Sequence, residues 1–346
     1  MDIVVSSNRF SSGKVEITVI VPTFNSSRKT YLMEALHSLI LQTLDKRLFE
    51  VLIYSNYTFE IPSSLNTLNY TFYTTSELSL GSKIAKGIEN STGNIICVLE
   101  DDDLWEMDRL LIIYKDFVKK DEILFYRNNY LNVDATGSQI YPFFHQIRLR
   151  FSRKIAKNLF DSSKIKRQHI LWLMKAGTNY NLSCQAIKRN LVEPYLTDIN
   201  GMTMHIDSYF FFLGLLNKGF IEVDPRVLTI NRIHNDNSFK VGWKRTELES
   251  EPHLKINRDT FLKISKKNMN KYVQTVVCSF IEGRELIESL EDPTISRKSI
   301  FIKMMNYLKT SFSFINPLYD EAFLKSILYI INRRVAEKLI SSQHNR

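Results

Sequence analysis

The feature that most constrains this chain is an alternation of short β-branched runs with helix-period segments, recurring about every 30 residues. Val15 to Val21 (VEITVIV) reads as a buried strand that stops at Pro22, and Thr30 to Gln42 follows with Leu32, Leu36, Leu39 and Ile40 on one helical face. Glu50 to Tyr54 reads as a second strand, Tyr70 to Tyr73 as a third, and Ser82 to Asn90 as a short helix. Ile95 to Leu99 is another buried strand, Asp108 to Lys119 a helix, and Glu122 to Tyr126 a strand again. Units of this kind predict an α/β fold with a Rossmann-like, mostly parallel sheet flanked by helices, because a parallel connection must cross back over the sheet. Such sheets bind ligands beyond the carboxyl ends of their strands. Polar residues directly after a strand are therefore the candidates for function.

The alternation occupies part of the 346 residues, a length that suggests about two domains. Residues 1–15 are polar and Ser-rich and read as a flexible N-terminal tail. Residues 16–240 carry the alternating pattern, and 241–346 switch to helical spacing alone, as in Phe261, Ile264, Ile327, Ile330, Ile331 and Val335. Cys97, Cys184 and Cys278 are far apart and odd in number, which argues against a disulfide scaffold and for reduced thiols. There is no Cys/His cluster for structural zinc. The densest apolar block, Tyr209 to Leu216, is well short of the ~20 residues that cross a bilayer. A cytoplasmic protein is the expectation, with room for contact at the inner face of a membrane.

The net charge of +9 is unevenly placed. Residues 145–190 hold 11 basic residues and one acid, residues 241–346 sum to +6, and the remainder sums to −7. Within the basic segment, Ile147, Phe151, Ile155 and Leu159 form a stripe beside Arg148, Arg150, Arg153, Lys154 and Lys157. Residues 146–160 thus have the pattern of a basic amphipathic helix, which either packs on its domain or lies on an anionic membrane surface. No aromatic–basic RNA motif accompanies this charge, and nucleic acid is not an expected partner.

The strongest local signal is Glu100-Asp101-Asp102-Asp103, four acids directly after a strand and followed by Leu104-Trp105. Crowded carboxylates raise one another's pKa, and a hard divalent cation, Mg²⁺ or Mn²⁺, relieves that cost. Alternation along the chain puts Glu100 and Asp102 on one side and Asp101 and Asp103 on the other, so two or three can reach one ion. The bland alternative is a solvated acidic turn.

With these residues in view, the chain resembles an inverting, family-2-type glycosyltransferase of the GT-A fold. Val19 to Asn25 (VIVPTFN) resembles the opening strand and its P-T-x-N turn, and Ser38-Leu39 with Gln42-Thr43 resembles the end of the first helix. Leu80-Gly81, Gly87 and Gly93 fall where the family has a glycine-spaced stretch, and Glu100 to Asp103 resembles its D-x-D-D cluster. Asp134 and Gly137 resemble a D-x-x-G turn. Asp207, ahead of Asn217-Lys218-Gly219, resembles the acceptor-site acid, and Arg232-Ile233-His234 with Ser238 the R-x-H-x-x-x-S closing motif. Three positions depart from the pattern. Asn56 stands where an Asp usually ends the second strand, Glu100 replaces the first Asp of the cluster, and Ile206 replaces a Glu.

The resemblance implies a nucleotide-diphosphate sugar donor, a glycan or lipid-linked acceptor, and one-step displacement at the anomeric carbon. Pro22, Thr23, Phe24, Asn25, Asn56, Gly81, Lys83, Glu100 and Asp101 would then line the donor site, with Lys83 and Arg109 as possible diphosphate partners. Asp102, Asp103 and His234 would hold Mn²⁺ or Mg²⁺, with Glu100 able to assist. Asp207 would be the general base, with Asp198 and His205 as neighbouring rivals. Asp207 also reads as an ordinary acid at a helix N-terminus. The departures leave a second expectation, a nucleotide-sugar-binding relative with impaired catalysis.

Overall fold

The computed structural model describes residues 2–10, 13–140, 157–234, 251–266, 270–291, 294–311, 326–327 and 329–331. The chain divides into two compact units, one of residues 1–140, 149–165 and 176–233, the other of 141–148, 166–175 and 234–346.

The first unit is built on one sheet. Its strands are β1 (Ile3–Asn8), β2 (Ile17–Thr23), β3 (Phe49–Ser55), β4 (Tyr70–Thr74), β5 (Ile95–Val98), β6 (Leu104–Trp105), β7 (Ile123–Asp134), β8 (Asn158–Asp161), β9 (Gln185–Lys188) and β10 (Phe220–Ile233). They follow the order β1-β4-β3-β2-β5-β9-β7-β10-β6, with β8 pairing β10. The pairings of β2 with β3 and β5, and of β3 with β4, are parallel, as the alternation requires. Beyond β5 the sheet is mixed. The short strand β9 enters antiparallel between β5 and β7, and β10 is parallel to β7 but antiparallel to β6 and β8. The α/β class is as expected, but the sheet is parallel only through β4-β3-β2-β5 and between β7 and β10.

Helices α1 (Lys29–Ile40), α2 (Leu80–Glu89) and α3 (Arg109–Lys119) are the crossovers. Each is amphipathic. Helix α1 buries Leu32, Ala35, Leu36 and Leu39 against the core formed with Val19, Val21, Val51, Ile53 and Phe72, at about 2 kcal/mol of hydrophobic stabilisation per leucine. Helix α7 (Ile206–Leu216) is buried on almost every face, which is where the Tyr209 to Leu216 block goes. Short helices α5 (Arg189–Val192) and α6 (Leu196–Gly201) lead into it.

Three local expectations change. Pro22 does not stop its strand. It lies within β2 because β5 pairs only as far as Ile20, so the missing N–H falls beyond the end of the neighbouring strand. The start of the chain is not a loose tail at residues 3–8. There β1 pairs antiparallel with β4 as an edge strand, held by ladder bonds rather than burial, since Ile3, Val4 and Val5 are 62%, 53% and 45% exposed. The basic amphipathic helix also fails where it can be seen. Residues 146–156 lie outside the described residues, whereas Leu159 and Phe160 are in strand β8, and Lys157 is taken up by Asp116 and Glu222 at 2.6 Å each.

The second unit contains α4 (Arg167–Lys175), α8 (Glu251–Ser265), α9 (Lys271–Glu291) and α10 (Arg297–Ser311). Leu286, Leu290, Ile300, Met304, Tyr307 and Tyr329 form its small core, with Ile327 and Ile330 packed on it and Ile331 exposed. Val335 lies outside the described residues. No helix among the described residues is long and apolar enough to cross a membrane.

Candidate functional site

The carboxyl ends of β2, β3 and β5 bring the predicted donor-site residues together. Thr23 ends β2 fully buried, and Phe24 follows it. Lys83, from α2, is also fully buried. Its ammonium donates to the Thr23 carbonyl at 2.6 Å and to the Asn56 side-chain oxygen, and it lies 3.3 Å from the centre of the Phe24 ring. Burial pushes the Lys83 pKa down to about 7. The Asn56 amide donates to the carbonyls of Thr75 and Glu77 at 2.8 and 2.9 Å. With its oxygen on Lys83, Asn56 is fully engaged by the protein. It therefore orients the lysine, whereas the sequence placed it among the residues that would line the donor site.

Asn25 and Gly81 likewise act on the frame. The Asn25 side chain accepts the Ser27 N–H at 3.0 Å and caps the one-turn helix Ser26–Arg28. Gly81 permits close approach, because a Cβ there would sit 2.0 Å from the Ile199 carbonyl oxygen and 2.2 Å from that of Met202. Gly81→Ala is expected to destabilise the fold by about 3 kcal/mol through this overlap, read as a lowered midpoint in thermal denaturation. An unchanged midpoint would show that α2 can move away from α6 without cost.

The acid run is not a solvated turn. Asp101, Asp102 and Asp103 are 2%, 6% and 2% exposed. Arg28 sits against two of them, 2.7 Å from Asp101 and in close contact with Asp102. Asp103 faces the opposite way. Its oxygens accept the Arg232 backbone N–H at 3.1 Å and the Asn181 amide at 3.3 Å. The Arg232 side chain reaches the Asp102 carbonyl at 3.2 Å, lies 4.7 Å over the Tyr31 ring, and pairs with Glu34 on α1. The first residue of the predicted closing motif thus braces the acid loop; Ser238 lies outside the described residues.

Burial, followed by repulsion from Asp103, Asp102 and Asp207, raises the Glu100 pKa well above the usual range. Burial raises Asp101 to about 6 against the opposing pull of Arg28, and burial with the Asp102 charge raises Asp103 to about 7. A carboxyl group whose pKa is higher folded than unfolded stabilises the fold below its unfolded pKa, and that contribution is lost as pH rises through the folded value. The metal-free protein is therefore expected to melt at a lower temperature at pH 8 than at pH 5. Saturating Mn²⁺ should shrink the difference, and a metal-free midpoint that rises over this range would contradict the assignment.

Asp207 lies half-buried in the first turn of α7. Its carboxylate accepts the backbone N–H of Ser208 at 2.7 Å and of Asn181 at 2.9 Å. Asn181, in the left-handed region at φ 65°, thus bridges Asp103 and Asp207, and its amide also reaches Asn231 at 2.9 Å. Ser183 follows, accepting the Glu100 N–H at 3.1 Å and hydrogen-bonding Asp103. Asp198 instead accepts the Tyr209 hydroxyl at 3.2 Å, and Ile206 is in the core.

Several predicted roles do not match this geometry. Both Asp103 oxygens are engaged, and His234 is the buried first residue of the second unit's last segment. Among the described residues, the one group of three ligand atoms close enough to share an ion is Asp116, Glu222 and Asp224, and Lys157 and Arg226 already pair with those acids. Arg109 is fully buried, stacked 3.9 Å over Trp105 and bonded to Asn128, so it supports the loop from beneath. Asp134 and Gly137 form a turn closed by the Asp134 side chain on the Thr136 and Ser138 N–H groups at 2.8 and 3.0 Å. Arg28, Asn181 and Ser183 are the site residues that sequence reasoning missed. The signal for Arg28 was the basic pair Arg28-Lys29, which begins three positions past the P-T-x-N turn.

Residues 18–176 match the family described as Glycosyl transferase family 2. No curated protein is significantly similar in sequence. Among solved structures, S. aureus TarS 1-349 in complex with UDP-GlcNAc superposes with a TM-score of 0.61 at 14% identity, over 95% of this chain and 92% of that one. The mannosyltransferase PcManGT from Pyrobaculum calidifontis, in complex with GDP-Man and Mn²⁺, gives 0.53 at 14% identity, over 94% of this chain and 86% of that one. At that identity the likeness concerns the fold. Residues 18–176 thus carry the match to Glycosyl transferase family 2, on a mixed α/β fold that the chain shares with the solved glycosyltransferases TarS and PcManGT.

Proposed function

We propose that the chain transfers a sugar from a nucleotide-diphosphate donor to an acceptor hydroxyl, with inversion at the anomeric carbon. The observation that carries this reading is the meeting of Thr23, Lys83 and the acid loop at the carboxyl ends of β2, β3 and β5, with Asp207 tied to that loop through Asn181. Phe24 and Tyr57, whose hydroxyl is 3.5 Å from that of Thr23, offer aromatic faces for a nucleobase.

A divalent cation fits the loop. Arg28 contacts two of the four acids, Asp101 and Asp102, and the Asp101 Oδ2 atom is buried with no hydrogen-bond partner. Asp102 and Asp101 would hold Mn²⁺ or Mg²⁺, with Glu100 beside them, while Asp103 keeps the loop in place. Such an ion supplies charge that stabilises a departing diphosphate. The chain's own part is to position donor phosphates through Lys83 and Arg28 and to take the acceptor proton at the Asp207 carboxylate. PcManGT, a protein of similar fold in complex with GDP-Man and Mn²⁺, supports a nucleotide sugar and a divalent cation as the kind of ligand to test. A glycan or lipid-linked acceptor, met in the cytoplasm or at the inner face of a membrane through the basic residues 146–160, completes the reading.

The test is release of nucleoside diphosphate from a panel of UDP- and GDP-sugars with Mn²⁺, with the anomeric configuration of the product read by NMR. A retained anomeric configuration would overturn inversion. The buried Ile206 and the engaged Asn56 favour a second reading, a binding protein with lost catalysis. Donor-induced thermal stabilisation without any release would select it.

A further inference from the structure

We propose that Arg28 is an internal counter-cation of the acid loop and couples metal binding to diphosphate binding. The inference rests on the donor-and-metal reading above. The Arg28 guanidinium contacts Asp101 and Asp102, the two carboxylates best placed to hold the ion. Its side chain is 13% exposed, against 3% and 8% for those of the two acids, so the contacts are shielded from solvent. Burial alone would lower the Arg28 pKa, and the charges of Asp102, Asp101, Glu100 and Asp103 outweigh it.

A divalent cation arriving alone must compete with this guanidinium for the same oxygens. It gains the carboxylates but turns out a charge that already satisfies them. A cation arriving with a diphosphate meets a different balance. Phosphate oxygens accept the planar fork of an arginine bidentately, and the Arg28 Nε atom, buried without a hydrogen-bond partner, is a donor still to be used. The residue is suited to the exchange, because its carrier is a one-turn helix whose Ser26 and Ser27 are exposed and which packs no side chain into the core. Displacement of Arg28 therefore costs more without a diphosphate than with one. Linkage makes this a positive coupling, equal in size for the metal and the diphosphate.

The experiment measures Mn²⁺ affinity by titration calorimetry without nucleotide. It then measures the affinity of the tightest binder among UDP, GDP, ADP and dTDP at zero and at saturating Mn²⁺. The wild type is compared with Arg28→Gln and Arg28→Lys. In Arg28→Gln, Mn²⁺ alone is expected to bind about tenfold tighter, and the factor by which Mn²⁺ tightens the diphosphate to fall about tenfold. Arg28→Lys keeps the charge and should bind Mn²⁺ alone as weakly as the wild type. An unchanged coupling factor, or Mn²⁺ binding no tighter in Arg28→Gln, overturns the proposal. A substitution that merely damages the loop weakens both ligands, which also counts against it. If the wild type binds none of the diphosphates with or without Mn²⁺, the donor reading itself fails; if it binds them and the factor does not change, this inference alone fails.

Discussion

Asp102→Asn is expected to lower turnover by about 10³-fold or more, the loss found when a preorganised group that stabilises transition-state charge is removed. The reason is the asymmetry of the acid loop. Asp103 is bound on both oxygens by Arg232 and Asn181 and serves as an anchor. Asp102 faces Arg28, on the side where a cation and a diphosphate would meet. The fold should tolerate the change. The Asp102 charge contributes to raising both Glu100 and Asp103, so its removal relieves repulsion as it removes one contact of Arg28. The metal-free melting temperature should accordingly hold or rise while Mn²⁺-dependent release of nucleoside diphosphate disappears. Turnover above a tenth of the wild-type rate would mean that the leaving group's charge is handled elsewhere.

The same loop shows why some of the site was legible in the sequence and some was not. The Glu100 to Asp103 run and the turn after Val21 stand out because each is a contiguous group placed directly after an apolar strand. Lys83 was expected, together with Arg109, as a possible diphosphate partner. Arg28 and Asn181 gave no comparable signal, because their roles arise from contacts made only in the folded chain. Asn181 lies 78 residues from Asp103 and 26 from Asp207, yet it joins them. Its backbone, at φ 65° and ψ 109°, has a positive φ uncommon outside glycine, which a sequence shows only once the turn is known.

Among the elements, β2, α1, β3 and α3 were legible because their apolar patterns are long, and β5 because all four of its residues are apolar. The strands β6, β8 and β9 are too short for a period to declare itself. Strand β10 is long but carries Asp224-Pro225, and its register with β7 shifts between Asp224 and Val227, an irregularity that also breaks its sequence pattern. Those strands, with β1 at the opposite edge, make the antiparallel pairings, which is why the expectation of a mostly parallel sheet held only for β4-β3-β2-β5 and the β7–β10 pair.

Asp207→Asn separates the two readings of that residue. As a helix N-terminal acid, Asp207 contributes through the N–H groups of Ser208 and Asn181, and asparagine keeps one oxygen acceptor for them. On that reading alone, the substitution costs about 1 kcal/mol of stability and leaves chemistry intact. As the general base it removes the acceptor proton, and an amide cannot do so. Turnover should then fall by about 10²- to 10⁴-fold while donor binding persists, because the donor contacts lie on Lys83 and the acid loop. The proximity of Asp207 to Glu100, seen in the raised Glu100 pKa, puts the carboxylate beside the site. Wild-type turnover in Asp207→Asn would place the base elsewhere, with Glu100 the neighbouring carboxyl to test next.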